Sequence, residues 1–341
     1  MKHYDRAFYR KLSGSARQSA RHIVPDLVAR TGAKSVIDIG CGTGAWLSVF
    51  AENGIKDFLG IDCDSIPRDM LVIPTERFVA FDLALPYRSG RRFDLVVSLE
   101  VAEHLPPAAA ESFVCSLVRL GPAVLFSAAV PGQGGTHHVN EQWQDYWAAL
   151  FEQHAYLPID CVRPSVWQNQ EVAWWYAQNT ILYCERSYAA ANPGLAGGVE
   201  STGKMPLAVV HPRKFQEAIW HQRLARGALE LARALPPGSR FILVDEAAAG
   251  NSLDCCGTAI RFPQKDGVFT GPPAEGRSAV AEMSSLLATV THVVVLEPAF
   301  WWLTYYPEWS DYLRANSREV LETDLMRVFE ISCGARAGSA I

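Results

Sequence analysis

The sequence has no Cys-x-x-Cys pair, no long basic run and no apolar stretch approaching the roughly 20 residues that span a bilayer. Each absence closes off a class of function. The eight cysteines are scattered, Cys255 and Cys256 being merely adjacent, so neither a disulfide framework nor a cysteine metal cluster is indicated. They read as reduced, mostly buried thiols of a cytoplasmic protein, and the opening Met1-Lys2-His3-Tyr4-Asp5 does not begin a signal peptide. A formal net charge of −5 without a basic patch offers no footprint for a phosphate backbone, which argues against a nucleic-acid partner. No membrane span is expected. At 341 residues the chain exceeds one ordinary domain, so two are predicted.

What is present begins at Val36-Ile37-Asp38-Ile39-Gly40-Cys41-Gly42-Thr43-Gly44, an apolar run that breaks into three alternating glycines. It reads as a buried strand feeding a ligand-cradling turn, with a helix opening at Ala45-Trp46-Leu47. Dinucleotide-binding proteins and S-adenosylmethionine-binding proteins share such a turn. Asp38, inside the strand, separates them: a carboxylate there repels a pyrophosphate and suits a ligand with cationic amino and sulfonium groups. A second short strand, Phe58-Leu59-Gly60-Ile61-Asp62, ends in an acid 24 residues after Asp38, the place for a ribose-diol acceptor. The third, Phe78 to Leu83, carries Asp82, and the fourth, Phe93 to Glu100, runs into Val101-Ala102-Glu103-His104-Leu105.

In that order these elements resemble the class I S-adenosylmethionine-dependent methyltransferases over roughly residues 1 to 187. The resemblance implies an α/β fold with a seven-stranded Rossmann-like sheet whose last strand is antiparallel, and S-adenosylmethionine as cofactor. Carried over residue by residue, it puts Asp38, Gly40, Gly42 and Gly44 at the methionine end, Asp62 on both ribose hydroxyls and Asp82 with Leu83 at the adenine; Glu100 is counted on the cofactor side. The remaining strands are expected at 123–130, 157–162 and 179–184.

The segment Pro131 to Trp143 follows the fifth strand and so emerges at the sheet edge where ligands of open α/β folds bind. Its glycines, His137, His138, Asn140, Glu141, Gln142 and Trp143 make a hydrogen-bonding, ring-stacking surface suited to a hydroxylated acceptor. With the tryptophan-rich stretches at 166–169 and 174–179 it resembles bacterial methyltransferases of glycan pathways, implying O-methylation of a sugar or glycan precursor. Methyl transfer is an in-line displacement, so positioning supplies most of the catalysis, but an alcohol must also lose a proton. His138, His104 and Glu103 are the candidate bases, His138 first because of its loop, with His137 and Glu141 behind them. Glu100, Glu103, Asn140 and Glu141 could offer hard oxygen ligands to magnesium, but no spacing demands a metal and none is assigned.

Residues 188–205 are small, glycine-rich and without hydrophobic period, and read as a linker. Residues 206–335 then alternate helix and strand: a second, small α/β domain, with strands at 240–245, 292–296 and 327–331 and a helix at 277–288. No repeated glycines follow its first strand. Gly271-Pro272-Pro273 and Phe300-Trp301-Trp302-Leu303 resemble an uncharacterised module appended to bacterial glycosyltransferases and methyltransferases, which implies a glycosyltransferase as a possible partner. Two other readings stand beside the methyltransferase: a non-catalytic glycan-assembly scaffold, and a nicotinamide-dependent oxidoreductase using the same glycine turn.

Overall fold

The computed structural model describes residues 6–195 and 206–332, with side chains from Ser13 onward. Its contacts divide the chain into two compact units, Met1–Phe215 and Gln216–Ile341. In the first, strands β1 (Ser35–Ile39), β2 (Asp57–Asp62), β3 (Phe78–Ala80), β4 (Leu95–Leu99), β5 (Ala123–Ser127), β6 (Tyr156–Ile159) and β7 (Ile181–Glu185) form one sheet in the order β3-β2-β1-β4-β5-β7-β6. All are parallel except β7, which enters antiparallel between β5 and β6.

Both faces of this sheet are covered, which is why β4 and β5 read as unbroken apolar runs rather than alternating ones. Successive side chains still point to opposite faces. Val96 and Val124 enter a core with Phe113 and Leu117 of α3 (Ala110–Leu120) and Trp147 and Phe151 of the helix Gln144–Glu152. Val97 and Leu125 enter the opposite core with Ile23 and Leu27 of α1 (Arg6–Thr31) and Leu47 and Phe50 of α2 (Ala45–Glu52). From β1 the chain winds outward to β2 and β3 on one side and to β4 and β5 on the other. That reversal opens a crevice at the carboxyl ends of β1 and β4, the place where ligands of such sheets bind.

Several expected boundaries move: the fourth strand runs only from Leu95 to Leu99, and the fifth stops at Ser127. The third strand stops at Ala80, leaving Asp82 in the following turn, and the sixth stops at Ile159. The seventh starts at Ile181 because Trp174–Asn179 is a helix. The expected linker moves as well. Arg186–Ala191 is helical, and Tyr188, Ala189 and Leu195 pack into the first unit's core. Residues 196–205 of that linker lie outside the described residues. Beyond them the chain bonds back to the first unit: Arg163 Nη1 donates to the Leu207 carbonyl at 2.7 Å, Gln144 Nε2 to that of Val209 at 3.2 Å, and the His211 amide to Gln178 Oε1 at 2.8 Å. The division therefore falls inside the helix Pro212–Ala234, not at residue 187.

The second unit has strands β8 (Arg240–Val244), β9 (Thr258–Arg261), β12 (His292–Leu296), β13 (Ser317–Glu322) and β14 (Met326–Ile331) in the order β13-β14-β12-β8-β9, and a separate hairpin of β10 (Gln264–Lys265) and β11 (Val268–Phe269). The helix Gly276–Leu287 packs Ala279, Met283 and Leu287 on one face of the larger sheet, and Leu224 and Leu231 of Pro212–Ala234 lie in the core of the other. The small α/β domain is thus present, with β9 and β13 added to the expected strands. Among the described residues no helix is long and apolar enough to cross a membrane.

A fragment ending at Phe215 should unfold cooperatively, whereas one ending at residue 187 should be destabilised by several kcal/mol. The shorter fragment exposes the Leu195 site, about 1.5–3 kcal/mol, and strips an acceptor from the buried Arg163, about 1–3 kcal/mol. Urea unfolding of the two decides it; equal midpoints would return the boundary to residue 187.

Candidate cofactor and acceptor site

The turn after β1 is built on the carbonyl of Ile61, which accepts the amides of Gly40 at 2.8 Å and Cys41 at 3.1 Å. Gly40 has φ 86°, and a Cβ there would stand 2.2 Å from Val101 Cγ2; only glycine lets the turn after β4 pack this closely on the turn after β1. Gly42, at φ 54°, faces open space instead, with nothing within 4 Å of where its Cβ would stand. Gly44, at φ 85°, starts α2. Asp62 closes the turn from the side: Oδ2 accepts the Gly42 amide at 2.7 Å and Oδ1 the Cys63 amide at 2.6 Å. Two carboxylate lone pairs remain for a ligand.

Acids converge on this crevice. Asp38, 3% exposed, sits within β1, where burial and then the nearby Asp62 push its pKa well above the usual carboxylate range. Burial also raises Asp62, against the pull of its two amide donors. Glu100, just past β4, holds φ 57°, a conformation rare for a side-chain-bearing residue. Its amide donates to the Ser127 carbonyl at 3.0 Å, its Oε2 accepts Gln133 Nε2 at 2.9 Å and its Oε1 accepts Asn179 Nδ2 at 3.2 Å. Burial raises its pKa, and hydrogen bonds with the Ser127, Asn179 and Gln133 side chains oppose the rise. Asp82 stands further out, exposed, capping its own turn by accepting the Ala84 amide at 3.0 Å, and Leu83 packs on the core beside it. The Phe81 amide donates to the Asp62 carbonyl at 2.8 Å, so this turn is tied to the end of β2.

The candidate bases form one cluster. The Glu103 carbonyl accepts the amides of Val139 and Asn140 at 2.8 and 3.0 Å, clipping the loop after β5 onto the turn after β4. His138 Nδ1 lies 2.9 Å from Glu141 Oε1, and the Glu141 carboxylate also accepts the amides of Gly132 at 2.8 Å and Gly134 at 3.0 Å. Partial burial works to raise the Glu141 pKa, but the His138 bond and the two amides prevail and lower it. The His104 ring lies edge-on to His138, centroids 4.9 Å apart. Loss of hydration, and then repulsion from His138, hold the His104 pKa down at about 4; its outer edge remains exposed, so desolvation is gentler there than at Glu103. Glu103 is fully buried, and its pKa is pushed well up by desolvation and by the neighbouring Glu100. Glu103, His104 and His138 each present one donor atom within 4.8 Å of the others.

Residues 10–179 match a family model described as a methyltransferase domain. Residues 10–179 are a methyltransferase domain. No curated protein matches the chain. Solved structures similar to it include DesVI from Streptomyces venezuelae (18% identity, 52% of this chain and 95% of that one, TM-score 0.37). Others are CalS10, an amino pentose methyltransferase from Micromonospora echinaspora (17%, 52% and 95%, 0.38), and the sugar N-methyltransferase KedS8 from a Streptoalloteichus species (16%, 53% and 92%, 0.40).

The cofactor of the methyltransferase domain is S-adenosylmethionine, and the residues present fit it. Open space over Gly42 lets a ligand meet the backbone, and the enclosed carboxyls of Asp38 and Glu100 suit a ligand with a positively charged end. Asp38 neighbours Asp62, Glu100 neighbours Glu103, and Glu103, His104 and His138 form one cluster, but nothing in the sequence analysis pointed to what holds Glu100. Gln178 Nε2 donates to Asn179 Oδ1 at 2.9 Å, and Asn179 Nδ2 to Gln133 Oε1 at 2.9 Å, completing a buried amide network behind it. The only signal was a polar Gln178-Asn179-Thr180 triplet set against an apolar strand. In the second unit Trp302 and Trp309 are core, whereas Trp301 and Tyr305 are exposed, and Glu246 accepts both the Trp301 and Trp302 indole N–H groups at 2.8 and 3.0 Å.

Because the folded-state pKa of Asp38 is raised, its ionisation costs stability above the unfolded-state pKa, and the cost disappears as pH falls below that value. Asp38→Asn should therefore raise the melting temperature near pH 8, by about 2–4 °C for each kcal/mol relieved, with the gain fading toward pH 4 and S-adenosylhomocysteine binding lost. Calorimetric melts across this range check it; a variant that melts lower at high pH would show Asp38 to be a structural group.

Proposed function

We propose that the chain transfers a methyl group to a hydroxyl oxygen of a sugar or glycan precursor. The observation that carries this reading is the His138–Glu141 pair. A carboxylate held by two backbone amides accepts from Nδ1–H, which leaves Nε2 of the neutral ring bare and able to take a proton. An alcohol, unlike a thiol, ionises too little near neutrality to attack without such a group. The loop that carries His138 also exposes Val139 and Trp143, an apolar and aromatic edge on which a sugar ring can stack.

S-adenosylmethionine supplies the electrophilic methyl carbon. Asp38 and Glu100 would face its charged amino-acid end, Asp62 would take both ribose hydroxyls on its remaining lone pairs, and Asp82 with Leu83 would border the adenine. His138 Nε2 would take the proton of the acceptor hydroxyl as the methyl group passes from sulfur to oxygen, with Glu141 stabilising the imidazolium. The His104 ring, kept neutral by its lowered pKa, shields that proton transfer without competing for it. Neither a scaffold role nor hydride chemistry would call for a histidine oriented in this way.

Asp62→Ala should weaken S-adenosylhomocysteine binding at least tenfold, since two charge-assisted hydrogen bonds of about 1.5–3 kcal/mol each are lost; an unchanged dissociation constant in calorimetric titration removes Asp62 from the site. His138→Ala should lower turnover on the acceptor by about 10² to 10⁴ with cofactor affinity nearly untouched. Single-turnover rates check this, and a collapse at His104→Ala instead would move the base to the turn after β4.

A further inference from the structure

Glu103 is 0% exposed, and neither of its carboxylate oxygens makes a hydrogen bond of normal geometry. Its polar neighbours are the amides of Glu103 and Ala129, too poorly placed to satisfy it, and the like-charged carboxyl of Glu100. Folded proteins seldom leave a buried acid in this state, because nothing repays its lost hydration. What does stand before it is a pair of imidazoles: one donor atom each from Glu103, His104 and His138, all within 4.8 Å of one another.

From this juxtaposition we infer that Glu103, His104 and His138 bind a divalent transition-metal cation at the acceptor end of the methyltransferase site. Metal–nitrogen and metal–oxygen bonds of about 2.0–2.2 Å place neighbouring donors about 3–4 Å apart. Side-chain rotations that shorten the longest separations by about an ångström would close the present cluster to that size. Two imidazoles with one carboxylate form a donor set that favours borderline cations such as Mn²⁺, Co²⁺ or Zn²⁺, whereas Mg²⁺ and Ca²⁺ prefer oxygen alone.

The surroundings already supply what orients such ligands. Glu141 accepts from His138 Nδ1–H, leaving Nε2 free of that bond, and the His104 ring hydrogen-bonds the His137 backbone, so each imidazole has an oxygen partner of the kind that fixes metal-bound histidines. The inference keeps the proposed methyl transfer and revises its proton step: the cation would hold the acceptor hydroxyl and acidify it, His138 Nε2 would serve as a ligand in place of its role as base, and the proton would leave to water.

The test is Co²⁺ titration of the full chain after chelation, followed by calorimetry and by the visible d–d spectrum, which reports coordination directly and needs no methyl acceptor. The expected result is one Co²⁺ per chain with bands of a mixed nitrogen–oxygen site, not displaced by an equal concentration of Mg²⁺. Glu103→Gln, His104→Ala and His138→Ala should each weaken Co²⁺ at least about tenfold while S-adenosylhomocysteine affinity and the far-ultraviolet circular dichroism stay as in the wild type. His104→Ala, at an exposed edge, is the variant least able to disturb folding. Absence of stoichiometric Co²⁺ binding, binding that survives all three substitutions, or ready displacement by Mg²⁺ overturns the site. If Co²⁺ fails while S-adenosylhomocysteine binds and His138→Ala still abolishes turnover, the metal falls and the base stands; if S-adenosylhomocysteine does not bind, the methyltransferase reading falls whatever Co²⁺ does.

Discussion

Four carboxyl groups, Asp38, Asp62, Glu100 and Glu103, crowd the carboxyl ends of β1, β2 and β4, and burial raises the pKa of every one. Like charges in a poorly hydrated crevice repel, so the arrangement persists only because the chain pins each group from behind. Amides of the glycine turn hold Asp62, and Gln133 and Asn179 hold Glu100. Asp38 is fixed in a strand paired on both sides. Glu103 is anchored through its carbonyl, which accepts the amides of Val139 and Asn140. The site is therefore a reservoir of unfavourable electrostatics, released when positive charge enters.

The sheet was largely legible because its strands are short apolar runs bounded by glycine and acid, and because the glycine turn needs positive φ at fixed positions. Where the reading slipped, tertiary packing had overruled composition. The stretch from Tyr188 to Leu195 is poor in large apolar residues, yet its few are buried in the core. Asn179 looked like the first residue of a strand, but the aromatic segment before it coils into a helix to bury Tyr176 and Ala177. In the second unit β13, Ser-Arg-Glu-Val-Leu-Glu, is an exposed edge strand whose charges hide its period, and β9 is only partly buried.

Within the site, sequence spacing exposed contacts made inside one turn or loop and was blind to those made across the sheet. The three-residue step from His138 to Glu141 is visible in the chain, and so is the run from Glu100 to His104. That Glu103 receives the loop of His138, or that Gln133 and Asn179 meet at Glu100, depends on pairings dozens of residues apart, for which periodicity carries no information. The amide network has the same origin: no local pattern distinguishes a glutamine that holds a carboxylate from one that faces water.

The contact between His211 and Gln178 reaches further than one hydrogen bond. Gln178 bonds Asn179, and Asn179 bonds Glu100, so backbone that follows the glycine-rich stretch is in register with a carboxylate at the heart of the crevice. A gene fusion spliced within that stretch would carry the wrong residues into this register. The seam along which evolution could exchange the second unit for another, leaving the first one's chemistry intact, lies past His211, in the exposed turns of a helix whose sequence shows no break.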